Sequence, residues 1–228
     1  MILHVPALLK REQVAEARRA LDRAEWVDGA GSAMGVVADV KKNHEIPSHH
    51  PVSQQIGKMI FAALQNNVTF VTRALPIRIC PPLFSRYVGG AGETYGEHTD
   101  GGLFQMPSPN LPMRGDLAAT VFLCSPDEYE GGELTIHDTF GSHSVKLPAG
   151  DMIVYPASSL HKVEPVTGGK RFVGFFWAQS AIRDDSKRSL LADLDRAIEE
   201  CNAAGPNNPG IMRLHGVYNN LLRIWAET

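Results

Sequence analysis

Apolar side chains recur along this chain in two rhythms, and the change of rhythm divides it. From Lys10 to Ala24 they fall at Val14, Ala17, Leu21 and Ala24, the three-and-four spacing of a helix with one buried face. The stretch from Asp28 to His50, rich in Gly, Ala and charged residues, reads as loop with one short strand around Gly35–Val40. A second helical stripe follows through Ile56, Ile60, Ala63, Leu64 and Val71, with Ser53 able to cap it and Pro76 ending it. His49 and His50 precede that helix and read as solvated surface.

From Ile77 to Ser180 the period shortens. Runs of β-branched and aromatic residues predict strands at Leu83–Val88, Leu117–Cys124, Gly132–His137, His143–Leu147, Asp151–Tyr155 and Arg171–Ala178, separated by turn residues such as Gly131–Gly132 and Pro148–Ala149–Gly150. Short, evenly spaced strands without intervening helices predict antiparallel sheets folded as a double-stranded β-helix, or jelly roll. The loop from Gly101 to Gly115, with Pro107, Pro109 and Pro112, reads as a lid. After Gln179 the helical period returns at Leu190, Leu191, Leu194, Ala197, Ile198 and Cys201, with Asp184 or Asp185 as cap. Beyond Gly205–Gly210 it resumes at Leu214, Val217, Tyr218, Leu221, Leu222 and Trp225. The pair predicts an αα-hairpin whose apolar stripes need a partner. The expected class is therefore α+β with a mainly β core. Residues 1–76 form an N-terminal helical region, 77–181 the jelly roll and 182–228 a C-terminal helical extension.

Composition narrows the functions open to such a fold. A chain of 228 residues with 43% hydrophobic residues can bury a sizeable core. A net charge of -3 gives no basic field for nucleic acid or anionic lipid, and no apolar run approaches a membrane span. With no signal-peptide pattern at its start, the chain is expected to be cytoplasmic. Cys80, Cys124 and Cys201 are far apart, which speaks against a disulfide framework or a thiolate zinc site; they read as buried small hydrophobes.

The candidate chemistry lies in the strand region. His98 and Asp100, in Tyr95–Gly96–Glu97–His98–Thr99–Asp100, stand two positions apart, so an extended backbone points both to one face. His161, after the apolar run Met152–Tyr155, is the best third ligand. His137 and His143 are rivals, in segments that read as solvent-facing positions of a hairpin. Two His and one carboxylate fill one face of an octahedral metal and leave positions open, which suits Fe(II). Ten positions past His161, Arg171 offers a planar fork for a carboxylate; its bland alternative is an ion pair with Asp151 or Glu164. A zinc hydrolase uses the same ligand types, but would need a general base such as Glu from His-Glu-x-x-His, which is absent; Glu97 would point to the opposite face. A cupin-like module that senses iron or a small molecule without turnover is the reading from outside enzymology.

These residues carry a resemblance. The chain resembles the Fe(II)- and 2-oxoglutarate-dependent dioxygenases, and within them the bacterial PKHD-type hydroxylases. It does so through Arg86–Tyr87–Val88–Gly89–Gly90 with Tyr95-x-x-His98-x-Asp100, then Gly131–Gly132–Glu133–Leu134, Pro148–Ala149–Gly150–Asp151, and His161 with Arg171. The resemblance covers roughly Ile77 to Ala181, with the family's helical extension matched by Ile182 to Trp225. It implies Fe(2+) held by His98, Asp100 and His161, the distal carboxylate of 2-oxoglutarate paired with Arg171, and Tyr87 as a hydroxyl donor to that co-substrate. It also implies a jelly-roll core, ascorbate as a reductant of the iron, and hydroxylation by dioxygen of a prime substrate that the sequence does not name. A homo-oligomer is a further expectation, from the apolar stripes of the last two helices.

Overall fold

The strands assemble as two facing antiparallel layers. The computed structural model describes residues 1–32, 36–106, 111–139, 141–205 and 208–227. Among these, the larger sheet has nine strands. Its path runs Leu3–Val5, Met152–Pro156, Leu117–Phe122, Val166–Ser180, Leu83–Val88, His44–Ile46 and Val27–Asp28, with Tyr129–Gly131 and Pro76–Ile79 paired to other parts of the long strand Val166–Ser180. The smaller sheet runs Gly141–Val145, Leu134–Asp138, His161–Val163, Thr94–His98 and Lys41–Lys42. Leu117–Phe122 is buried at every position, as a central strand covered on both faces must be. The fold is thus a jelly roll with, among the described residues, six α-helices packed around a mainly antiparallel core.

The outer face of the larger sheet is covered by the N-terminal helices. Arg11–Leu21 buries Val14, Ala17 and Leu21, and Phe70 meets Phe176 of the long strand edge-on, with ring centroids 6.4 Å apart. The predicted helix beginning at Ser53 is in fact two. His50 caps the first, Pro51–Gln65, by accepting the Val52 N–H on its Nδ1 at 3.2 Å, while Ser53 is buried inside it. Asn67 caps the second, Val68–Ala74, by accepting the Phe70 N–H at 2.8 Å. Side-chain caps won over the apolar stripe, because Asn66 and Asn67 offer the backbone a competing partner.

Other expectations also change. The segment Asp28–His50 contributes strands at Val27–Asp28, Lys41–Lys42 and His44–Ile46, and the described part of the strand expected at Gly35–Val40 is a short helix, Val36–Asp39. Its polar residues looked like loop because Lys41 and Glu45 are buried by pairing with each other, not by being apolar. The lid region forms a hairpin of Leu103–Gln105 against Pro112–Arg114; Pro107 and Pro109 lie outside the described residues. Cys80 and Cys124 are buried, but Cys201 is exposed, because the stripe of its helix rotates off the packed face before the end.

Asp184 caps Asp185–Ala204 by accepting the Lys187 N–H, and Pro209–Trp225 packs back along it. Ile182, Leu191, Ile198, Ile211 and Tyr218 form a separate small core there. Polar contacts tie this pair to Val68–Ala74: Arg73 bonds Asp195 at 3.0 Å and also meets Glu199, and the Tyr218 hydroxyl donates to the Thr72 carbonyl at 2.7 Å.

Candidate active site

The pairing of the smaller sheet brings the candidate ligands together. His161 and His98 are Cα partners across neighbouring strands, and the Asp100 N–H donates to the Ala157 carbonyl at 3.2 Å, pulling the end of one strand toward the turn before the other. One donor atom from each of His98, Asp100 and His161 lies within 4.8 Å of the others, and His161 Nε2 stands 3.8 Å from Asp100 Oδ2. All three side chains are largely sequestered, His98 at 7% and His161 at 4% exposure.

Hydrogen bonds behind the rings fix which nitrogen faces the cluster. His98 Nδ1–H donates to the Gly96 carbonyl at 2.7 Å and His161 Nδ1–H to the Ser159 carbonyl at 3.0 Å. Each Nε2 is left as a lone pair, the form a metal takes up. Burial, then the neighbouring His161, push the His98 pKa down to about 4. His161 is lowered too, chiefly by burial. Burial raises Asp100 to about 6, opposed by the Trp177 indole and by His98. Asp100 Oδ2 is buried with no hydrogen-bond partner among the described residues. Two neutral imidazoles and an orphaned carboxylate oxygen converge on one point, and a divalent cation there would satisfy all three.

Arg171 lies deeper in the same cavity. It is 1% exposed, and its Nε and Nη1 have no hydrogen-bond partner among the described residues. Its guanidinium carbon sits 5.2 Å from the Tyr87 ring centroid and 5.8 Å from that of Phe122. Neither proposed ion-pair partner serves it: Asp151 bonds His4 at 2.7 Å, and Glu164 bonds Lys162 and Thr135. A buried, unpaired fork of this kind calls for an anion from outside the chain. Tyr87 is buried beside it, and burial pushes its pKa up to about 12 against the pull of Arg171. Tyr129, which sequence reasoning passed over, adds a second buried hydroxyl lacking a geometric hydrogen-bond partner, within the field of Arg171. No motif marks it; the short strand Tyr129–Gly131, paired with the long strand at Gly169, carries it there.

The cavity encloses about 460 Å³ and is also lined by Lys41, Asn43, Glu45 and Ser85. These four were missed as well, and all are buried. Their signal was the alternation Lys41-x-Asn43-x-Glu45, a polar strand face. A larger hollow of about 580 Å³ lies elsewhere, lined by apolar residues such as Phe61, Val71 and Ile77. It holds no ligand set, so its size does not make it the site. His137 lies off the site, paired with Ser142 and Glu97, and His143 is exposed and bonded to Asp138. His49 is exposed, and His50 is used as the helix cap.

Comparison with known proteins gives the following. Residues 82–179 match the 2OG-Fe(II) oxygenase superfamily and residues 185–227 the PKHD-type hydroxylase C-terminal domain. A PKHD-type hydroxylase of Janthinobacterium sp. (strain Marseille) is 52% identical over 226 residues, covering 99% of each chain. One from Stenotrophomonas maltophilia (strain R551-3) is 47% identical over 227 residues, covering 100% of both. Among solved structures, a Pseudomonas putida prolyl-4-hydroxylase superposes with a TM-score of 0.51 at 18% identity, over 78% of this chain and 92% of that one. The 2-oxoglutarate-dependent carbocyclase SnoK of nogalamycin biosynthesis gives 0.56 at 13%, over 79% and 80%. At those identities the two structures speak for the fold.

Proposed function

Since the chain belongs to the PKHD-type hydroxylases of the 2OG-Fe(II) oxygenase superfamily, and so is an Fe(II)- and 2-oxoglutarate-dependent hydroxylase, we propose that His98, Asp100 and His161 hold its iron and that Arg171 and Tyr87 hold 2-oxoglutarate. The observation that carries this reading is the pairing of two orphans in one cavity: a carboxylate oxygen at the ligand cluster and a guanidinium deeper in. Iron bound there supplies the coupling of 2-oxoglutarate decarboxylation to hydroxylation of a substrate C–H bond.

The chain's own residues do the rest. Burial keeps both rings neutral, and the carbonyl bonds at Nδ1 fix the tautomer that presents Nε2 to the ligand cluster, so no proton has to be shed from them at neutral pH. Arg171 gives its fork to the distal carboxylate and sets how far 2-oxoglutarate reaches toward the ligand cluster. The Tyr87 hydroxyl, held in its protonated form by burial, donates to that co-substrate. Phe104, stacked on Trp177 with centroids 4.3 Å apart, lines the same cavity and gives it an aromatic wall.

In the same proposal, residues 77–181 act as the catalytic unit, with 1–76 and 182–228 as its supports. Ascorbate as reductant rests on the resemblance to prolyl and lysyl hydroxylases. A cytoplasmic location is consistent with the absence, among the described residues, of a helix long and apolar enough to cross a membrane. Self-association would use the last two helices, where Leu190, Met212 and Ile224 are exposed. The test is anaerobic titration of the protein with Fe(II) and then 2-oxoglutarate. The expected result is one iron per chain and a visible charge-transfer band; an iron-loaded protein that gives no band with 2-oxoglutarate would refute the assignment.

A further inference from the structure

The wall of the cavity that the iron and 2-oxoglutarate leave unused carries an ion pair buried almost completely. Lys41, Asn43 and Glu45 alternate along one extended segment, so all three turn inward. Lys41 Nζ donates to Glu45 Oε1 at 2.6 Å and to Ser32 Oγ at 2.5 Å, and Ser85 Oγ donates to the same Glu45 oxygen at 3.3 Å. The Lys41 and Glu45 side chains are 4% and 9% exposed. Apolar residues of similar volume often hold such a position at no cost in stability or with a gain, so a buried pair is weak evidence of a stabilising role. Neither residue belongs to the ligand cluster or to the Arg171 end of the site.

Its position relates it to the chemistry. Lys41 and Tyr95 are paired across adjacent strands, the ammonium lies 5.2 Å from the Tyr95 ring centroid, and that ring stacks on His98 at 3.7 Å. A group bound at the pair is therefore one aromatic ring away from the ligand cluster. On its other side Lys41 faces the Phe175 ring at 6.0 Å, and Phe104 and Trp177 continue the aromatic lining outward.

We propose that Lys41 and Glu45 receive the head group of the prime substrate, and that this head group is an amino-acid zwitterion: a free ammonium and a free carboxylate on one small molecule. The proposal rests on the hydroxylase reading of the same cavity. Charge balance excludes a head group of net charge, and among neutral head groups the zwitterion is the one that offers each member of the pair a counter-charge. The pair is neutral as a whole, so a head group of net charge would leave one charge uncompensated in a buried wall. A zwitterion keeps the balance, its ammonium on Glu45 and its carboxylate on Lys41, which has a third N–H beyond the two already used. A mid-chain peptide unit has neither charge to set against the pair, and the aromatic lining takes the apolar remainder of the molecule.

The test uses the full-length, iron-loaded protein with 2-oxoglutarate and a panel of free L-amino acids, each beside its N-acetyl and carboxamide derivatives. Calorimetry reads binding, and succinate release reads turnover. The expected result is at least one free amino acid that binds and raises succinate release, with affinity falling tenfold or more when either end is blocked. Lys41→Met and Glu45→Gln should each bring the same loss, in KM more than in kcat. The double variant Lys41→Met/Glu45→Leu, which removes both charges and so guards against misfolding, should be no worse than either single one. Three outcomes overturn the proposal: no free amino acid binds, blocked derivatives bind as well as free ones, or the variants bind as well as the parent. The charge-transfer band separates failures. If the band forms and no amino acid binds, the zwitterion is wrong and the hydroxylase stands; if no band forms, the hydroxylase reading fails, while the calorimetric comparison still judges the pair.

Discussion

Replacing Arg171 by Ala should uncouple co-substrate binding from metal binding. The guanidinium is buried among aromatic rings with two of its nitrogens unpartnered, so a carboxylate placed there is desolvated and receives a two-pronged, charge-assisted contact. Truncating one partner of such a pair costs about 2–5 kcal/mol, which is roughly thirtyfold to a few thousandfold in affinity. Iron affinity should hardly move, because no ligand atom is lost. Arg171→Lys should recover only part of the affinity, since an ammonium restores charge without the planar fork. Stability provides a second reading. An unpaired buried charge is a burden to the empty protein, so Arg171→Met should leave its melting temperature unchanged or raise it; a structural ion pair would give a clear fall. The assay is anaerobic titration of the Fe(II) protein with 2-oxoglutarate, read by its visible band, beside thermal denaturation without ligands. Unchanged 2-oxoglutarate affinity in Arg171→Ala, or a marked loss of stability in Arg171→Met, would refute the reasoning.

Three other outcomes are expected. His161→Ala should lower iron affinity by roughly a hundredfold or more, since even outer partners of a ligand are worth about 10–100-fold, with circular dichroism unchanged; full affinity would dismiss the ligand set. Gly132→Ala places a Cβ at φ +68°, 2.8 Å from Val166 Cγ2 and 3.1 Å from Arg171 Cδ, so it should cost about 1–3 kcal/mol of stability and weaken 2-oxoglutarate by displacing Arg171, and a variant with wild-type values for both would count against that packing. Truncation after Ala181 strips the partners of Arg73 and the small core around Leu191 and Tyr218. Light scattering should then show aggregation or a changed oligomeric state, and a well-behaved monomer of unchanged activity would rule this out.

What the sequence made legible follows from which physics is local. His98 and Asp100 could be read as a pair because side-chain alternation in a strand needs no knowledge of the rest of the fold. Arg171 stood out because an arginine in an aromatic run has few bland explanations, and the structure removes the two that were weighed. The strand Leu83–Val88 was read to the residue. Lys41, Asn43 and Glu45 were not, because a polar strand face signals solvent unless its charges find each other across space. The split at Asn66–Asn67 was missed for a related reason: apolar spacing continues through it, and only the caps reveal the break. Tyr129 is placed by a three-residue strand paired with the distant Gly169, so nothing in its immediate neighbours announces it.

The register that makes His161 the Cα partner of His98 also acts as a safety interlock. Side chains alternate along a strand, so a slip of one residue would turn the imidazole to the opposite face and leave only two of the three proposed ligands together. With the proposed ligand set, copies zipped in the wrong frame during folding would bind iron weakly and so would not be able to oxidise their surroundings. Armament would then come last, granted only to chains that have already closed correctly, and metal uptake during refolding would serve as a clock for that closure.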